Sequence, residues 1–202
     1  GHEVVSWSIE KNLVDTLTKT KEHPKLPGFI APDLWKITEN LEEALEGAEL
    51  IVESVTSVGV RPVMELLKKR GIPNCPIVIT SKGIENGSGY LLTEVAKDVL
   101  GEEHAHKIAC ISGPSHAEEV IKGMPTSVVS SGYSEASMKL AQSAFHCDLF
   151  RVYLNTDICG VEFGAAMKNI IAIACGLSDG MGFGDNTKAA LMTRGLHEIR
   201  KL

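Results

Sequence analysis

Lys168 is a lysine within an apolar run, where a charged side chain is unexpected. It is the single cation within residues 160–175, a proline-free and mostly apolar run whose length favours a helix. Helical spacing places it on one face with Val161, Gly164, Ala165, Ile171, Ala172 and Cys175. The opposite side is apolar too, which predicts a helix buried all round. Because an unpaired ammonium is costly to bury, Lys168 either opens onto a polar cavity or performs chemistry, or it extends out of the end of a core helix towards water.

A second cation, Lys82, follows directly on a predicted strand over residues 76–81. In an open α/β sheet, ligands bind beyond the carboxyl ends of the strands, and Gly83 allows the backbone to turn sharply there. Lys82 therefore either faces a ligand crevice, where its charge attracts an anion, or is an ordinary exposed loop lysine.

The third candidate is the segment that follows the predicted strand over residues 106–112. Gly113 leads a turn into a short helix, and the free N–H groups at such a helix start suit an anionic or polyhydroxyl ligand. Ser115 and Glu118 also match the Ser-x-x-Glu capping box, which is by itself a sufficient structural reason for both residues. The histidines and cysteines show no metal-ligand spacing, so we expect no metal site.

The elements that must position these residues alternate between strand and helix. Strands are predicted over residues 2–9, 34–38, 50–55, 76–81, 106–112, 126–130 and 149–154, and helices over residues 12–21, 41–46, 61–70, 90–100, 116–122, 135–146, 157–177 and 186–202. Alternation with short connections indicates an α/β fold with a doubly wound parallel sheet. After residue 156 only helices are predicted. We therefore expect an α/β domain over residues 1–156 and the beginning of an all-α domain over residues 157–202.

The composition is that of an ordinary globular protein, with 44% hydrophobic and 23% charged residues. A net charge of −6 argues against a nucleic acid or an anionic membrane as partner. No apolar run reaches the roughly 18–20 residues of a membrane span without interruption by a charge or a glycine. Five scattered cysteines without a Cys-x-x-Cys pair indicate free thiols in a reducing cytoplasm.

Both ends of the sequence look incomplete. It opens on what reads as the second strand of a sheet, and it stops within a predicted helix that has no C-cap. We therefore expect these residues to be part of a longer protein.

Six strings in unbroken order together resemble the NAD(P)-dependent glycerol-3-phosphate dehydrogenases, specifically their bacterial soluble branch. They are GHEVVSW (1–7), SKGIE (81–85), ISGPSHAEE (111–119), FRVY (150–153), GVEFGAAMKNIIA (160–172) and GDNTKAALMTRGLHE (184–198). The resemblance covers essentially the whole chain, and six ordered strings are far more specific than any one of them.

The resemblance implies a reaction and a role for each candidate residue. The family interconverts dihydroxyacetone phosphate and sn-glycerol 3-phosphate by hydride transfer with NAD or NADP, on a Rossmann-type domain. Lys168 matches the catalytic lysine, a general acid and base that also contacts the substrate. Lys82 matches a lysine near both substrate and nicotinamide. Gly113 and Ser115 match positions that contact the glycerol phosphate, and Ala117 matches a position that contacts the cofactor.

The resemblance also implies segments that this sequence lacks. The family begins with a strand and a Gly-x-Gly-x-x-Gly turn that holds the pyrophosphate, about one βα unit ahead of residue 1. It continues past residue 202 to a Ser-Arg-Asn segment that grips the substrate phosphate. We therefore expect a Rossmann-type sheet without its first βα unit, and no activity from the 202 residues alone.

Glu10 departs from the family pattern at the end of the first predicted strand, where relatives often carry a basic residue or a histidine. A carboxylate there can accept a hydrogen bond from the ribose 2′-hydroxyl, and it would repel a 2′-phosphate. Glu10 is thus a cofactor-binding candidate that favours NAD over NADP.

Two other interpretations stay open. One is another two-domain dehydrogenase with a lysine on a helix, such as a ketopantoate reductase or a hydroxyacid dehydrogenase. The other is a non-catalytic nucleotide-binding remnant. For the enzyme that the resemblance implies, we expect a small phosphorylated triose or glycerol substrate, a homodimer in the cytoplasm, and a role in supplying glycerol 3-phosphate for phospholipid synthesis.

Overall fold

The computed structural model describes residues 2–202, so Gly1, the first residue of the first matching string, lies outside the described residues. The strands are β1 (Val4–Trp7), β2 (Trp35–Thr38), β3 (Ile51–Glu53), β4 (Ile77–Ile79), β5 (Ile108–Ser112), β6 (Thr126–Gly132) and β7 (Phe150–Leu154). The helices are α1 (Lys11–Thr20), α2 (Leu41–Leu45), α3 (Val60–Arg70), α4 (Leu92–Leu100), α5 (Ala117–Val120), α6 (Glu135–Phe145), α7 (Ile158–Gly180) and α8 (Asp185–Ile199). Every predicted strand and helix is present, with ends displaced by at most three residues.

Five strands form the main sheet in the order β3-β4-β5-β6-β7, with helices on both faces. Alternate residues of β4 and β5 point to opposite faces, as the period of a strand requires. Ile77 and Ile79 pack with the apolar residues of α3 and α4. Val78 and Ala109 pack on the other face, against Ala141 of α6. The predicted doubly wound α/β class is confirmed.

One strand pair departs from the expected parallel sheet. β5 and β6 are antiparallel, with Ser112 opposite Val129, whereas the pairs β3–β4, β4–β5 and β6–β7 are parallel. A parallel crossover needs a dozen or more residues and usually a full helix. The connection between β5 and β6, residues 113–125, meets this length but contains only the four-residue helix α5 in place of a full crossover helix.

β1 and β2 pair in parallel as a separate two-stranded sheet. Trp7 of β1 packs against the main core, which holds the small sheet on the large one. Among residues 2–202, β1 pairs with β2 alone and β3 pairs with β4 alone, so each of these strands has one edge without a strand partner.

The prediction that α7 is buried all round is wrong. α7 packs against β5 and β6 on one side and against α8 on another, where Gly195 allows a close approach to Ile171. Its third side is open: Ile170, Ile173 and Leu177 are all exposed. The prediction failed because an apolar sequence indicates that a helix favours burial but does not show which element covers it. Among the described residues, no element covers this side.

By length and composition α7 could cross a membrane, which the search for uninterrupted apolar runs did not indicate. This is weak evidence for a span. The helix carries Glu162 and Lys168, and one of its sides packs on the sheet. These features are those of a helix that lies against a protein core.

Candidate active site

The structure brings Lys168 and Gly113 to the same cavity, although they are far apart in sequence. The cavity has a volume of about 220 Å³ and is lined by Ser112, Gly113, Pro114, Val129, Val161, Gly164, Ala165 and Lys168. We call it the Lys168 cavity. Its helical wall is the face of α7 that sequence spacing assigned to Lys168. Gly164 has open space where a side chain would stand, so it widens the cavity instead of serving helix packing.

The ammonium of Lys168 is exposed, contrary to the burial expected from its apolar surroundings in the sequence. Its Nζ donates a hydrogen bond to Oδ1 of Asn169 at 2.9 Å. Lys168 thus lines the cavity and is also exposed to solvent, so the structure is compatible with both interpretations of this lysine.

Lys82 lies immediately after β4, and its Nζ donates to the carbonyl oxygen of Thr80 at 3.4 Å. Partial burial of the ammonium, and then the charge of Lys168, lower the pKa of Lys82. Lys82, at the end of β4, does not line the Lys168 cavity. The charge of an anion bound near Lys82 and Lys168 would offset the repulsion between the two ammonium groups.

The backbone at Gly113 approaches β6 so closely that a side chain does not fit. Its φ is +155°, and an added Cβ would stand 2.8 Å from Cα of Val128. Ser115 lies next along the turn, outside the lining of the cavity, and its hydroxyl donates to the carbonyl oxygen of Gly113 at 3.4 Å. The capping-box prediction is wrong, because α5 begins at Ala117 with His116 at the N-cap and no side chain caps it.

The two cofactor candidates lie at different places on the same molecule. Ala117 is the exposed first residue of α5, just beyond the turn that carries Gly113. Glu10 is the N-cap of α1 and follows β1 of the small sheet, and it is not among the residues that line the Lys168 cavity. Its carboxylate is exposed. The ammonium of the adjacent Lys11 lies 3.3 Å from Oε1 of Glu39 and 4.0 Å from Oδ1 of Asp15.

Two carboxylates that the sequence analysis overlooked hold the segment that carries Lys82. Glu53 of β3 is buried, and its Oε1 accepts hydrogen bonds from the backbone N–H of Val55 at 2.7 Å and from the hydroxyl of Ser81 at 2.8 Å. Burial raises the pKa of Glu53, against these hydrogen bonds. The residue ties the turn after β3 to the residue that precedes Lys82.

The second carboxylate is Glu85, which Arg61 of α3 binds through two parallel hydrogen bonds of 2.8 Å. Arg61 also donates to Oδ2 of Asp98 on α4 at 2.7 Å, and Ser88 donates to Glu85 at 2.6 Å. The Arg61 guanidinium first, and the Ser88 hydroxyl second, lower the pKa of Glu85 to about 2. Bidentate pairing fixes geometry as well as charge, so this cluster orients the turn that begins at Lys82.

We predict that Glu85→Gln destabilises the protein in a pH-dependent manner. The pKa of Glu85 is depressed from 4.5 to about 2 in the folded state. Its contribution is therefore fully present above pH 4.5, and it is lost as the pH falls through about 2. Urea unfolding from pH 7 down to pH 2 should show a constant difference between wild type and variant above pH 5, closing at about pH 2. A difference that is absent at pH 7 would contradict this assignment. Glu49→Gln, which changes an exposed carboxylate elsewhere, is the control and should unfold like the wild type.

Other features of the described residues do not add to the site. A larger cavity of about 600 Å³ lies at the opposite end of β6, lined by residues 132–135, Met138 and residues 154–156. Within residues 2–202, no three histidine, cysteine, aspartate or glutamate side chains are grouped to hold a metal ion. Three cysteines are buried and two exposed, and all five are free thiols.

Comparison with known proteins places this arrangement in a family. The family model described as NAD-dependent glycerol-3-phosphate dehydrogenase N-terminus matches residues 1–138, and the corresponding C-terminus model matches residues 157–202. This chain belongs to the NAD-dependent glycerol-3-phosphate dehydrogenase family. The resemblance inferred from the six strings is thereby confirmed.

Individual relatives agree with the family. The chain is 54% identical over 202 residues to glycerol-3-phosphate dehydrogenase [NAD(P)+] of Protochlamydia amoebophila, and 50% identical over 201 residues to that of Chlamydia muridarum. It spans its full length in both matches but only 61% and 60% of the length of these curated relatives. The crystal structure of glycerol-3-phosphate dehydrogenase from Coxiella burnetii superposes with a TM-score of 0.87 at 36% identity, covering 98% of this chain and 60% of that one.

Proposed function

We propose that the protein containing this chain interconverts dihydroxyacetone phosphate and sn-glycerol 3-phosphate with NAD or NADP. The observation that carries the proposal is the convergence of Lys168 and Gly113 on one cavity. An ammonium that lines a cavity suits proton transfer. Lys82 does not line this cavity, but the charge of Lys168 contributes to lowering its pKa, and a second cation suits a phosphorylated substrate.

Each candidate residue of the chain has a different role in the proposed reaction. When bound, the nicotinamide supplies a hydride to the ketone carbon. Lys168 donates its proton to the ketone oxygen, where negative charge develops, and takes the proton back in the oxidative direction. Lys82 offsets negative charge on the substrate. Gly113 and Ser115 contact the glycerol phosphate, and the close approach of the Gly113 backbone to β6 keeps that wall of the cavity in place.

The residues present suit one part of a dinucleotide. Ends of parallel strands carry Glu10, Lys82 and Gly113, and a ligand of an α/β sheet binds beyond such ends. The exposed carboxylate of Glu10 has the chemistry to accept hydrogen bonds from a ribose. We assign Ala117, the exposed first residue of α5, to cofactor contact on the basis of the family resemblance. The ammonium of the adjacent Lys11 is paired with Glu39 at the surface.

We predict that wild-type protein prefers NAD and that Glu10→Ala weakens the preference. Loss of the carboxylate removes both the acceptor for the 2′-hydroxyl and the repulsion of a 2′-phosphate, so the ratio of kcat/KM for NADH over NADPH should fall roughly tenfold. The measurement is steady-state kinetics with both cofactors. Glu49→Ala removes an exposed carboxylate elsewhere and should leave the ratio unchanged. Equal or better use of NADPH by the wild type would show the assignment to be wrong.

The reaction itself is tested with protein expressed from the complete reading frame around this sequence, because the curated relatives are longer than the chain. We expect NADH oxidation with dihydroxyacetone phosphate and no comparable rate with ketopantoate or other keto acids. Turnover of a keto acid in preference to dihydroxyacetone phosphate would favour the related dehydrogenase classes. Nucleotide binding without turnover of any of these substrates would favour a non-catalytic remnant.

Three further properties belong to the same proposal. We place the domain boundary between residues 156 and 157, just ahead of α7. We expect a soluble homodimer in the cytoplasm, where the reaction supplies glycerol 3-phosphate for phospholipid synthesis. Light scattering of the complete protein measures the oligomeric state.

A further inference from the structure

Glu162 is a buried carboxylate on the helix that carries Lys168, and it is not among the residues that line the Lys168 cavity. It is 6% exposed, and its partner is Thr93 in the first turn of α4. The backbone N–H of Thr93 donates to Oε1 of Glu162 at 3.1 Å, and the Thr93 hydroxyl donates to Oε2. A helix start leaves N–H groups without internal partners, and here a side chain from a distant helix accepts from one of them.

Thr93 is connected to Lys82 through residues 83–92, whose two ends are held together by backbone pairing. A β-bridge pairs Ile84 with Leu91, and the N–H of Glu85 donates to the carbonyl oxygen of Tyr90 at 2.9 Å. The residues between Lys82 and α4 therefore form a compact loop and not a free tether. Whatever fixes the start of α4 also fixes the direction in which this loop leaves β4.

On the other side of the contact, α7 is one uninterrupted helix from Ile158 to Gly180. Glu162 and Lys168 lie six residues apart on it, a rise of about 9 Å. Apolar contacts of Ile158 and Val161 with the core press α7 onto the sheet. Apolar contacts are non-directional, so they do not determine how far the helix slides or rotates. The two hydrogen bonds from Thr93 to Glu162 are directional, so they do determine the position and rotation of α7.

We propose that Glu162 is a positioning residue that sets the placement of Lys168 relative to Lys82 by anchoring α7 to the start of α4. The anchor lies on the face of α4 that meets the core, outside the Lys168 cavity, so Glu162 touches no substrate. This inference rests on the proposed function, because it assigns both lysines to one reaction.

The ionisation of Glu162 indicates a suitable replacement. Burial raises the pKa of Glu162 to about 7, against the hydrogen bonds from Thr93. The carboxyl group is therefore neutral in part of the molecules at neutral pH. Glutamine has the same shape, can accept from the Thr93 N–H with its oxygen, and can donate to the Thr93 hydroxyl. It should keep the anchor, whereas alanine removes it.

The test compares Glu162→Ala, Glu162→Gln and Thr93→Val in the complete protein. A displacement of the order of 1 Å at a catalytic group can lower a rate about 100-fold. We expect Glu162→Ala to lower kcat between about tenfold and 100-fold with KM for dihydroxyacetone phosphate within about threefold of wild type. Glu162→Gln should keep at least about half of the wild-type kcat. Thr93→Val removes one of the two hydrogen bonds and should lower kcat by an intermediate factor.

Glu94→Ala is the matched control. Oε2 of Glu94 accepts from the N–H of Leu91 at 2.8 Å, at the same helix start but from within α4. Its loss loosens the start of α4 but keeps the link between α4 and α7. The fall in kcat should therefore be clearly smaller than in Glu162→Ala, and an equal fall would contradict a role for the link to α7. If Glu162→Ala does not fold, Thr93→Val carries the test, because valine keeps the shape of threonine.

Hydrogen–deuterium exchange separates this inference from the proposed function. Loss of the anchor should speed exchange at the start of α4 in Glu162→Ala, and Glu162→Gln should restore protection, whatever the substrate is. Faster exchange together with an unchanged kcat would overturn the positioning role. Equal loss of kcat in the alanine and glutamine variants would also overturn it. Absence of turnover of dihydroxyacetone phosphate by the wild type would refute the proposed function instead.

Discussion

Lys168→Ala should abolish most of the turnover of the complete protein while leaving its cofactor affinity nearly unchanged. The ammonium of Lys168 opens onto the cavity, where it can reach a ligand. A positioned proton donor contributes about 10²–10⁴-fold to such a reaction, and kcat should fall by a factor in that range. The reduced cofactor, measured by its fluorescence, should bind with a Kd within about twofold of wild type, because Lys168 is not among the residues that hold the dinucleotide.

Lys139→Ala is the control for this substitution. Lys139 is a surface lysine on α6 that pairs with Glu135, four residues earlier on the same helix. Its loss changes net charge by the same amount and should leave kcat unchanged. Turnover of Lys168→Ala at a rate close to wild type would contradict the assignment of the proton to Lys168.

Gly113→Ala should have the largest effect on stability of any single methyl addition near the site. The backbone of Gly113 has a φ of +155°, and the new Cβ would stand 2.8 Å from Cα and 2.9 Å from Cγ1 of Val128. Because the first of these atoms belongs to the backbone of β6, relief requires β5 and β6 to move apart. We expect a loss of at least about 3 kcal/mol in the free energy of unfolding, combining conformational strain with overpacking. Substrate turnover should fall as well, since the same movement deforms the Lys168 cavity.

Gly28→Ala separates the two causes. Gly28 also has a positive φ, +85°, but nothing lies within 4 Å of the position of its Cβ. This substitution should therefore cost only the conformational part, about 1–2 kcal/mol. Urea unfolding of both variants makes the comparison. A loss at Gly113 no larger than that at Gly28 would show that the contact with Val128 does not constrain the residue.

The fold and part of the site could be predicted from local sequence patterns. Apolar runs that end in a glycine placed β5 correctly and put Gly113 at its carboxyl end. Helical spacing predicted which residues of α7 accompany Lys168, and Val161, Gly164 and Ala165 do line its cavity. These predictions succeeded because the period of side chains along a helix and the residues that end a strand are local properties of the sequence.

The remaining features depend on partners that are far apart in the sequence. Glu162 stands within the same apolar run as Lys168, and its importance shows only through Thr93, 69 residues earlier. The direction of β6 and the exposure of α7 depend likewise on what each element packs against. The capping box failed for a related reason, since Ser115 bonds to the carbonyl of Gly113 within the turn and not to the start of α5.

The strand edges of β1 and β3 bear on how these residues behave in concentrated solution. Each edge presents N–H and C=O groups without a strand partner among residues 2–202, and such an edge is a template for pairing with another molecule. Val4 and Val5 on β1 and Val52 on β3 are exposed beside these edges, and valine favours extended pairing. An edge of this kind offers an intermolecular route to aggregation that is separate from unfolding wherever it is left uncovered. Covering the edges of β1 and β3 would remove this route and so would increase the resistance of the protein to aggregation.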